Sequence, residues 1–435
     1  MTRPPASLPA TEPGEFSDGY RRYALGLLVV VYVFNFIDRS ILSIVLQPIK
    51  EEFQVSDTAL GFLSGIAFAA FYTVMGIPIA RWADRGVRRS IIALACFVWS
   101  GMTAATGLAT SFGLLALARI GVGVGEAGCS PPAHSLISDY FPPDRRATAL
   151  GIYALGIPIG GGIGALAGGW LNEIFDWRTA FIVVGLPGVL LALVVRLTLR
   201  EPTRGAFDGL PPAQHEPVSD VVRFMLGLRS FRHMSLGAAF HAFYGYGAGA
   251  FIAAFFVRSH GVPSGELGTW LAGLGFTGGV IGTFLGGFLG DRLGARDPRW
   301  YMWLPALSTL VYIPFAFLLY TWPDSRTALL LYFPGALLGG MYLGPTFAMT
   351  QTLVRPEVRA MASAILLFII NIIGLGLGPQ VVGIVSDLLA ETLGQESLRY
   401  SLLGIIVSFA AWSVLHYLLA ARTLREDLLA KDAAR

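Results

Sequence analysis

Four ionisable side chains, Asp38, Arg39, Arg119 and Glu126, stand inside stretches of sequence that are otherwise apolar on every face. A charge at the middle of a bilayer costs at least about 2.5 kcal/mol even on permissive insertion scales, so four of them demand a role. Their types suit proton-coupled binding of an anion. The carboxyls of Asp38 and Glu126 can take up and release a proton, and the guanidinium groups of Arg39 and Arg119 offer phosphate or carboxylate a bidentate fork that lysine cannot copy. Asp38 and Arg39 are consecutive, about 100° apart on a helix, so each faces a different neighbour. Arg119 and Glu126 are seven apart, on nearly one face and about 10 Å apart along the axis. With all four ionised the cluster is neutral, and protonating one acid leaves it positive. The bland alternative is an inert charge network that locks two helices.

Polar candidates in the second half of the chain are fewer. His241 and Tyr244 lie in an aromatic run from Phe240 to Phe256, and Asn371 lies in a later apolar stretch. A charged first half facing an apolar, aromatic second half describes an amphipathic cavity for a headgroup and a tail, the tail wall being expected from spans 7, 8 and 11. No metal-spaced His or Cys cluster and no Gly-rich loop ending in Lys-Ser or Lys-Thr occurs. The expectation is therefore no metal site, no cofactor beyond a proton gradient as energy source, no nucleic-acid partner and no enzyme. Cys96 and Cys129 fall in apolar segments and read as packing residues.

The elements that must hold these residues follow from composition. The 435 residues are 54% hydrophobic and only 14% charged, with mean hydropathy +0.63, which contradicts a water-exposed surface. A membrane span takes about 20 apolar residues. Twelve such runs are legible, at 23–46, 58–80, 91–110, 112–137, 147–170 and 178–199, then at 233–257, 266–290, 299–320, 326–353, 360–385 and 398–421. A β-barrel would instead alternate apolar and polar residues over ten-residue segments. The fold class is thus an all-α membrane protein of twelve spans in two six-helix bundles, 23–199 and 233–421. Residues 1–22 are a disordered tail, 200–232 a polar linker with Pro211, Pro212 and Pro217, and 422–435 a second tail.

Lysine and arginine set the orientation. Counted loop by loop they crowd the side that holds both termini, which is expected to be cytoplasmic, in a plasma or inner membrane. Only Lys50, Arg178, Arg258, Arg326 and Arg399 fall on the other side. The halves also echo each other. FPPDRRATA at 141–149 parallels VRPEVRAMA at 354–362, and GIPIARWADRGVRR at 76–89 parallels GGFLGDRLG at 286–294. Duplicated six-helix halves imply a pseudo-twofold transporter with its site between them.

These residues resemble the major facilitator superfamily across about 23–421. Its Gly-x-x-x-Asp-Arg-x-Gly-Arg-Arg loop is matched by Asp84, Arg85, Arg88 and Arg89, with Ala80 replacing the leading glycine, and more cleanly by Gly286, Asp291, Arg292 and Gly294. RIGVGVGEAG at 119–128 and GIYALGIPIGGGIGALAGG at 151–169 resemble its span 4 and span 5 segments. FNFIDRSIL at 34–42, GEAG with Pro131, and SLISDYFP at 135–142 are most similar to the Spinster group. The resemblance implies a proton-coupled secondary transporter, a monomer working by alternating access on an amphipathic sphingolipid- or lysolipid-like substrate. An Asp-Arg pair in span 1 is also similar to organic-anion symporters, so a proton-coupled symporter of small carboxylates or sugar acids is the alternative. Proton coupling is expected at Asp38 and Glu126, and substrate contact at Arg39, Arg119, His241, Tyr244 and Asn371. A cytoplasmic gate is expected from Asp84, Arg85, Arg88, Arg145 and Arg146 against Asp291, Arg292 and Arg359.

Overall fold

Long apolar runs with capping residues at their polar ends have one satisfactory conformation in lipid, because only a helix satisfies its backbone within one segment. The computed structural model describes residues 16–205, 217–355 and 358–433, and every regular element among them is helical. The first bundle comprises span 1 (Asp18–Phe53), span 2 (Asp57–Ser64 and Ile66–Arg85), span 3 (Arg88–Thr106), span 4 (Phe112–Glu126 and Ser130–Tyr140), span 5 (Pro143–Ala154 and Gly156–Ile174) and span 6 (Trp177–Thr198). A linker helix (Val218–Gly227) leads to the second bundle: span 7 (Arg229–His260), span 8 (Ser264–Gly294), span 9 (Trp300–Thr321) and span 10 (Ser325–Gly340 and Leu343–Thr352). Span 11 (Arg359–Ile370, π-helical Asn371–Leu377 and Gly378–Leu393) and span 12 (Ser397–Ala433) complete it. Eleven stretches are long and apolar enough to cross a membrane; Met361–Leu429 holds two spans because the turn Gly394–Glu396 between them is itself helical.

Three domain boundaries differ from the sequence expectation, one of them at the end of the linker, where span 7 already begins at Arg229. Span 1 starts at Asp18 because Ser17 accepts the backbone N–H of Tyr20 and an acidic residue occupies the first turn. Residues 422–433, expected as a tail, continue span 12; Leu424 is buried and Arg425 donates to Asp297 at 2.9 Å. Hydrogen bonds from Arg299 hold the Asp297 carboxyl down to about 2, so this tether stays anionic at any ordinary pH. Residues 1–15 and 206–216, the bulk of the expected first tail and part of the linker, lie outside the described residues.

Glycine decides where spans come closest. A Cβ at Gly160 or Gly164 of span 5 would strike the span 1 backbone at Val33 or Ile37. The bundles themselves meet through two such contacts. Gly61, Gly65 and Gly383 bring span 2 against span 11, and Gly169 and Gly268 bring span 5 against span 8. Both contacts lie where spans 2 and 8 begin and spans 5 and 11 end, which is the face poor in Lys and Arg. Overpacking costs typically about 1–3 kcal/mol. Gly169→Leu is therefore expected to part spans 5 and 8 there, seen as faster labelling of a cysteine placed at Asn172; unchanged labelling would refute the close contact.

Candidate functional site

Span 1 delivers the first pair of charges and span 4 the second. Span 4 breaks immediately after Glu126, where three residues precede a new helix that carries Pro131 and Pro132 at its start. Arg39 donates from Nε to Oε2 of Glu126 at 2.6 Å, and the Glu126 side chain is wholly buried. The Arg39 guanidinium lies 4.9 Å from the Phe36 and Phe68 ring centres and 4.7 Å from that of Tyr72. Arg119 stands 4.5 Å over the same Phe68 ring and has no hydrogen bond or ion pair among the described residues. One aromatic ring thus carries two guanidinium groups, a favourable cation–π arrangement that leaves their N–H donors available.

Asp38 is 2% exposed, and neither carboxylate oxygen finds a partner. It lies beside Thr103 of span 3. The adjacent Asn35 Nδ2, Ser100 Oγ, Thr103 Oγ1, Arg119 Nε and Glu126 Oε1 are likewise buried without partners. Native interiors leave few such groups, so this concentration marks a place built for hydration, protons or a ligand rather than for stability. The consecutive Asp38 and Arg39 do face different spans, as their 100° separation requires. Arg119 and Glu126 make no bond to each other: Glu126 bonds Arg39 through Oε2 alone and its Oε1 has no partner.

The second bundle answers with tyrosine. A cavity of about 300 Å³ is lined from spans 7, 9 and 10, and His241 sits at its edge. The Gly339 carbonyl, in the last turn before the break in span 10, can only accept, so His241 donates to it from Nε2 at 3.1 Å. The single lone pair of Nδ1 is then shared between two hydroxyls within reach, Thr309 at 3.0 Å and Tyr244 at 2.9 Å. His241 is a fully bonded tie between three spans. Of the apolar wall expected from spans 7, 8 and 11, only span 7 lines this cavity. Span 8 turns Gly278, Gly282 and Gly286 onto span 10, and span 11 turns its glycines onto spans 2 and 7. Asn371 opens the π-helical segment of span 11, half-buried and without a side-chain hydrogen bond among the described residues.

The basic face and its opposite differ sharply. On the basic face Arg88 is fully buried and bonded to Asp139 and Ser135 of span 4 and to Glu201 and the Pro202 carbonyl at the start of the linker. Arg146 donates to the Ser138 carbonyl, Tyr301 donates to Asp291 at 2.9 Å, and Arg359 reaches the Gln351 carbonyl. Arg85, Arg145 and Arg292 are exposed, and the Asp84 side chain lies outside the described residues. Among the described residues no bond across the two bundles is seen for Arg85, Arg88, Arg145, Asp291, Arg292 or Arg359.

The cross-bundle bonds are on the other face, at residues the sequence reading did not single out. Asp57 of span 2 is buried and accepts from Arg258 of span 7 through both terminal nitrogens at 2.8 Å, from Lys50 at 2.6 Å and from Ser386 of span 11 at 2.6 Å. Asp387 caps the start of span 2 from the opposite bundle, accepting from Asp57 N at 2.9 Å and Thr58 N at 2.8 Å. One signal was available: Lys50 and Arg258 are two of the few cations on that face. These bonds close the two bundles together on that face.

Comparison with known proteins agrees with this architecture. The sequence model of the Major Facilitator Superfamily matches residues 28–379. An MFS-type efflux pump of Mycolicibacterium smegmatis is 36% identical over 408 residues, spanning 93% of this chain and 94% of that protein. Protein spinster homolog 1 of Homo sapiens is 28% identical over 85% of this chain and 74% of its own length. The sphingosine-1-phosphate transporter SPNS2 of Xenopus tropicalis is 28% identical, over 86% and 75%. A bacterial homologue of the human lysosomal transporter Spinster, solved inward-facing and unoccupied, superposes with TM-score 0.85 at 37% identity, covering 95% of this chain and 99% of that one. With its paired bundles, broken spans and buried span 1 to span 4 charge cluster, the chain belongs to the major facilitator superfamily, as a transporter of the Spinster group.

Proposed function

We propose that this transporter is proton-coupled, works by alternating access and moves an amphipathic, lipid-like solute, with the basic face cytoplasmic. The observation that carries the reading is the buried quartet, in which Glu126 is paired with Arg39 while Asp38 has no partner. Proton uptake on either acid changes the charge of a site that also holds two arginines, so proton and anion occupancy are coupled through one local field. Positive-inside charge supports the orientation. In that orientation the Asp57 network closes the outer side and the site faces inward, the state in which the bacterial Spinster homologue was solved.

The proton role is tested by Glu126→Gln in proteoliposomes, where pH-driven uptake should disappear while binding persists; a variant with wild-type pH dependence would sink it. The lipid reading has its own test. Each buried methylene contributes about 0.8 kcal/mol, so shortening a lysolipid chain by four carbons should weaken binding by roughly 3 kcal/mol, over a hundredfold. A flat chain-length series would defeat it and favour a small organic anion.

A further inference from the structure

Asp38 belongs to a cluster of buried oxygen atoms that hydrogen bonding leaves unused. Asn35 and Asp38 lie three apart on span 1, and Ser100 and Thr103 lie three apart on span 3, so each pair shares a helix face. Thr103 lies beside Asp38, and Glu126 of span 4 is the charge that acts on Asp38 most strongly. None of these five residues exposes more than 2% of its surface. Both Asp38 carboxylate oxygens, Ser100 Oγ, Thr103 Oγ1 and Glu126 Oε1 are without a hydrogen-bond partner among the described residues. The surrounding helices are packed tightly. A Cβ added at Gly125 of span 4 would strike the Trp99 backbone, and one at Gly188 of span 6 would strike the Ser100 side chain.

A proton alone makes little use of this arrangement. A protonated carboxyl donates one O–H and needs one acceptor, whereas two hydroxyls, an amide and a second carboxylate oxygen gather about Asp38. Oxygen donors without nitrogen or sulfur suit a hard cation, and such a cation needs no His or Cys cluster. Charge limits its valence. Glu126 is already paired with Arg39, which leaves Asp38 as the one uncompensated acid, with Arg119 and Cys96 the other titratable groups that face it. A divalent ion would leave excess positive charge beside buried Arg119, whereas a monovalent ion adds the same charge as a proton. The close helix contacts favour the smaller alkali ion. We infer that Asp38, Thr103 and Ser100, with Asn35 and Glu126 Oε1, form a sodium-binding site in which sodium and a proton compete for Asp38. This deepens the proposed function, resting on it for Asp38 as a coupling residue, and names a second ion for that residue.

The test is thermal unfolding of the purified full-length protein in detergent, titrated with sodium, potassium or N-methylglucamine chloride at constant ionic strength. A ion that binds only the folded state raises the melting temperature in a saturable way. Sodium should do so and the other two should not, and lowering the pH should shift the titration to higher sodium because protons compete. Asp38→Asn should abolish the sodium response. Thr103→Val, which keeps the shape and removes one oxygen, should require roughly tenfold more sodium for the same shift. Binding of radiolabelled sodium to the same samples replaces melting for any variant that does not unfold cooperatively. A response shared equally by the three cations, or one that Asp38→Asn retains, would overturn the inference. No gradient enters these measurements, so sodium binding can fail while Glu126→Gln still abolishes pH-driven uptake, and the converse pair of results is equally readable.

Discussion

Arg258→Met is expected to move the protein out of the state described here, more than any single change on the basic face. Arg258 supplies a two-pronged bond to buried Asp57 and is itself only 11% exposed at its side chain. Removing one partner of a buried pair costs roughly 3–5 kcal/mol, because the other charge is left without compensation. Lys50 remains on Asp57 and reduces that figure, so about 2 kcal/mol of bias against the closed outer face is a fair expectation, some thirtyfold in population. Spin-label distances across each face check it. The outer distances should lengthen and the basic-face distances shorten; if Arg258→Met keeps the wild-type distributions, the network does not hold the bundles together. Asp387→Ala should move them the same way by less, since it removes a helix cap worth about 1 kcal/mol.

The basic-face residues behave differently because they are spent elsewhere. Arg88 has five donors in a buried setting, and Asp139 and Glu201 use them to fasten spans 3 and 4 to each other and to the chain just after span 6. A duplicated motif shows that the loop matters in both halves. It does not show whether its charges point across the interface or into their own bundle, because that depends on tertiary position.

What was legible in the sequence follows from which signals are local. Span number, the two bundles and the buried quartet are written in hydropathy and in single misplaced charges such as Asp38 and Glu126, and these need no tertiary information. The partners were not legible. Nothing in spacing says that Glu126 bonds Arg39, 87 positions away, and leaves Arg119 aside. The closure on the face poor in Lys and Arg joins Asp57 to Arg258 and Ser386, over 200 positions distant, and neither charge alone reads as more than an ordinary loop-end residue. That spans 9 and 10, rather than 8 and 11, join span 7 in the cavity wall was not legible for a related reason. Scarcity of charge in spans 8 and 11 suggested a lipid-like surface, whereas their glycines serve helix contact, and the lining tyrosines of spans 9 and 10 looked like routine aromatic content.

The two acids, equal in the sequence, should part in the laboratory. Glu126 lies in a bonded pair, so Glu126→Gln leaves the Arg39 guanidinium without its charged partner in a buried setting. A loss of up to about 3–5 kcal/mol in stability is expected, moderated by the aromatic rings on which Arg39 rests. Asp38 carries the desolvation of its carboxyl without any compensating bond, and Asn has the same shape with no charge to desolvate. Asp38→Asn should therefore leave the melting temperature unchanged or raise it, while abolishing pH-driven transport. Thermal unfolding of both variants above pH 7, beside proteoliposome uptake under an imposed gradient, separates the roles. If Asp38→Asn melts well below wild type, the residue is a structural tie whose partner the fold conceals. If it melts as expected and still transports with wild-type pH dependence, Asp38 carries no proton. A stable, binding-competent but uncoupled Asp38→Asn beside a destabilised Glu126→Gln is the result this geometry requires, since a site whose charge must change during transport cannot hold every acid in a permanent ion pair.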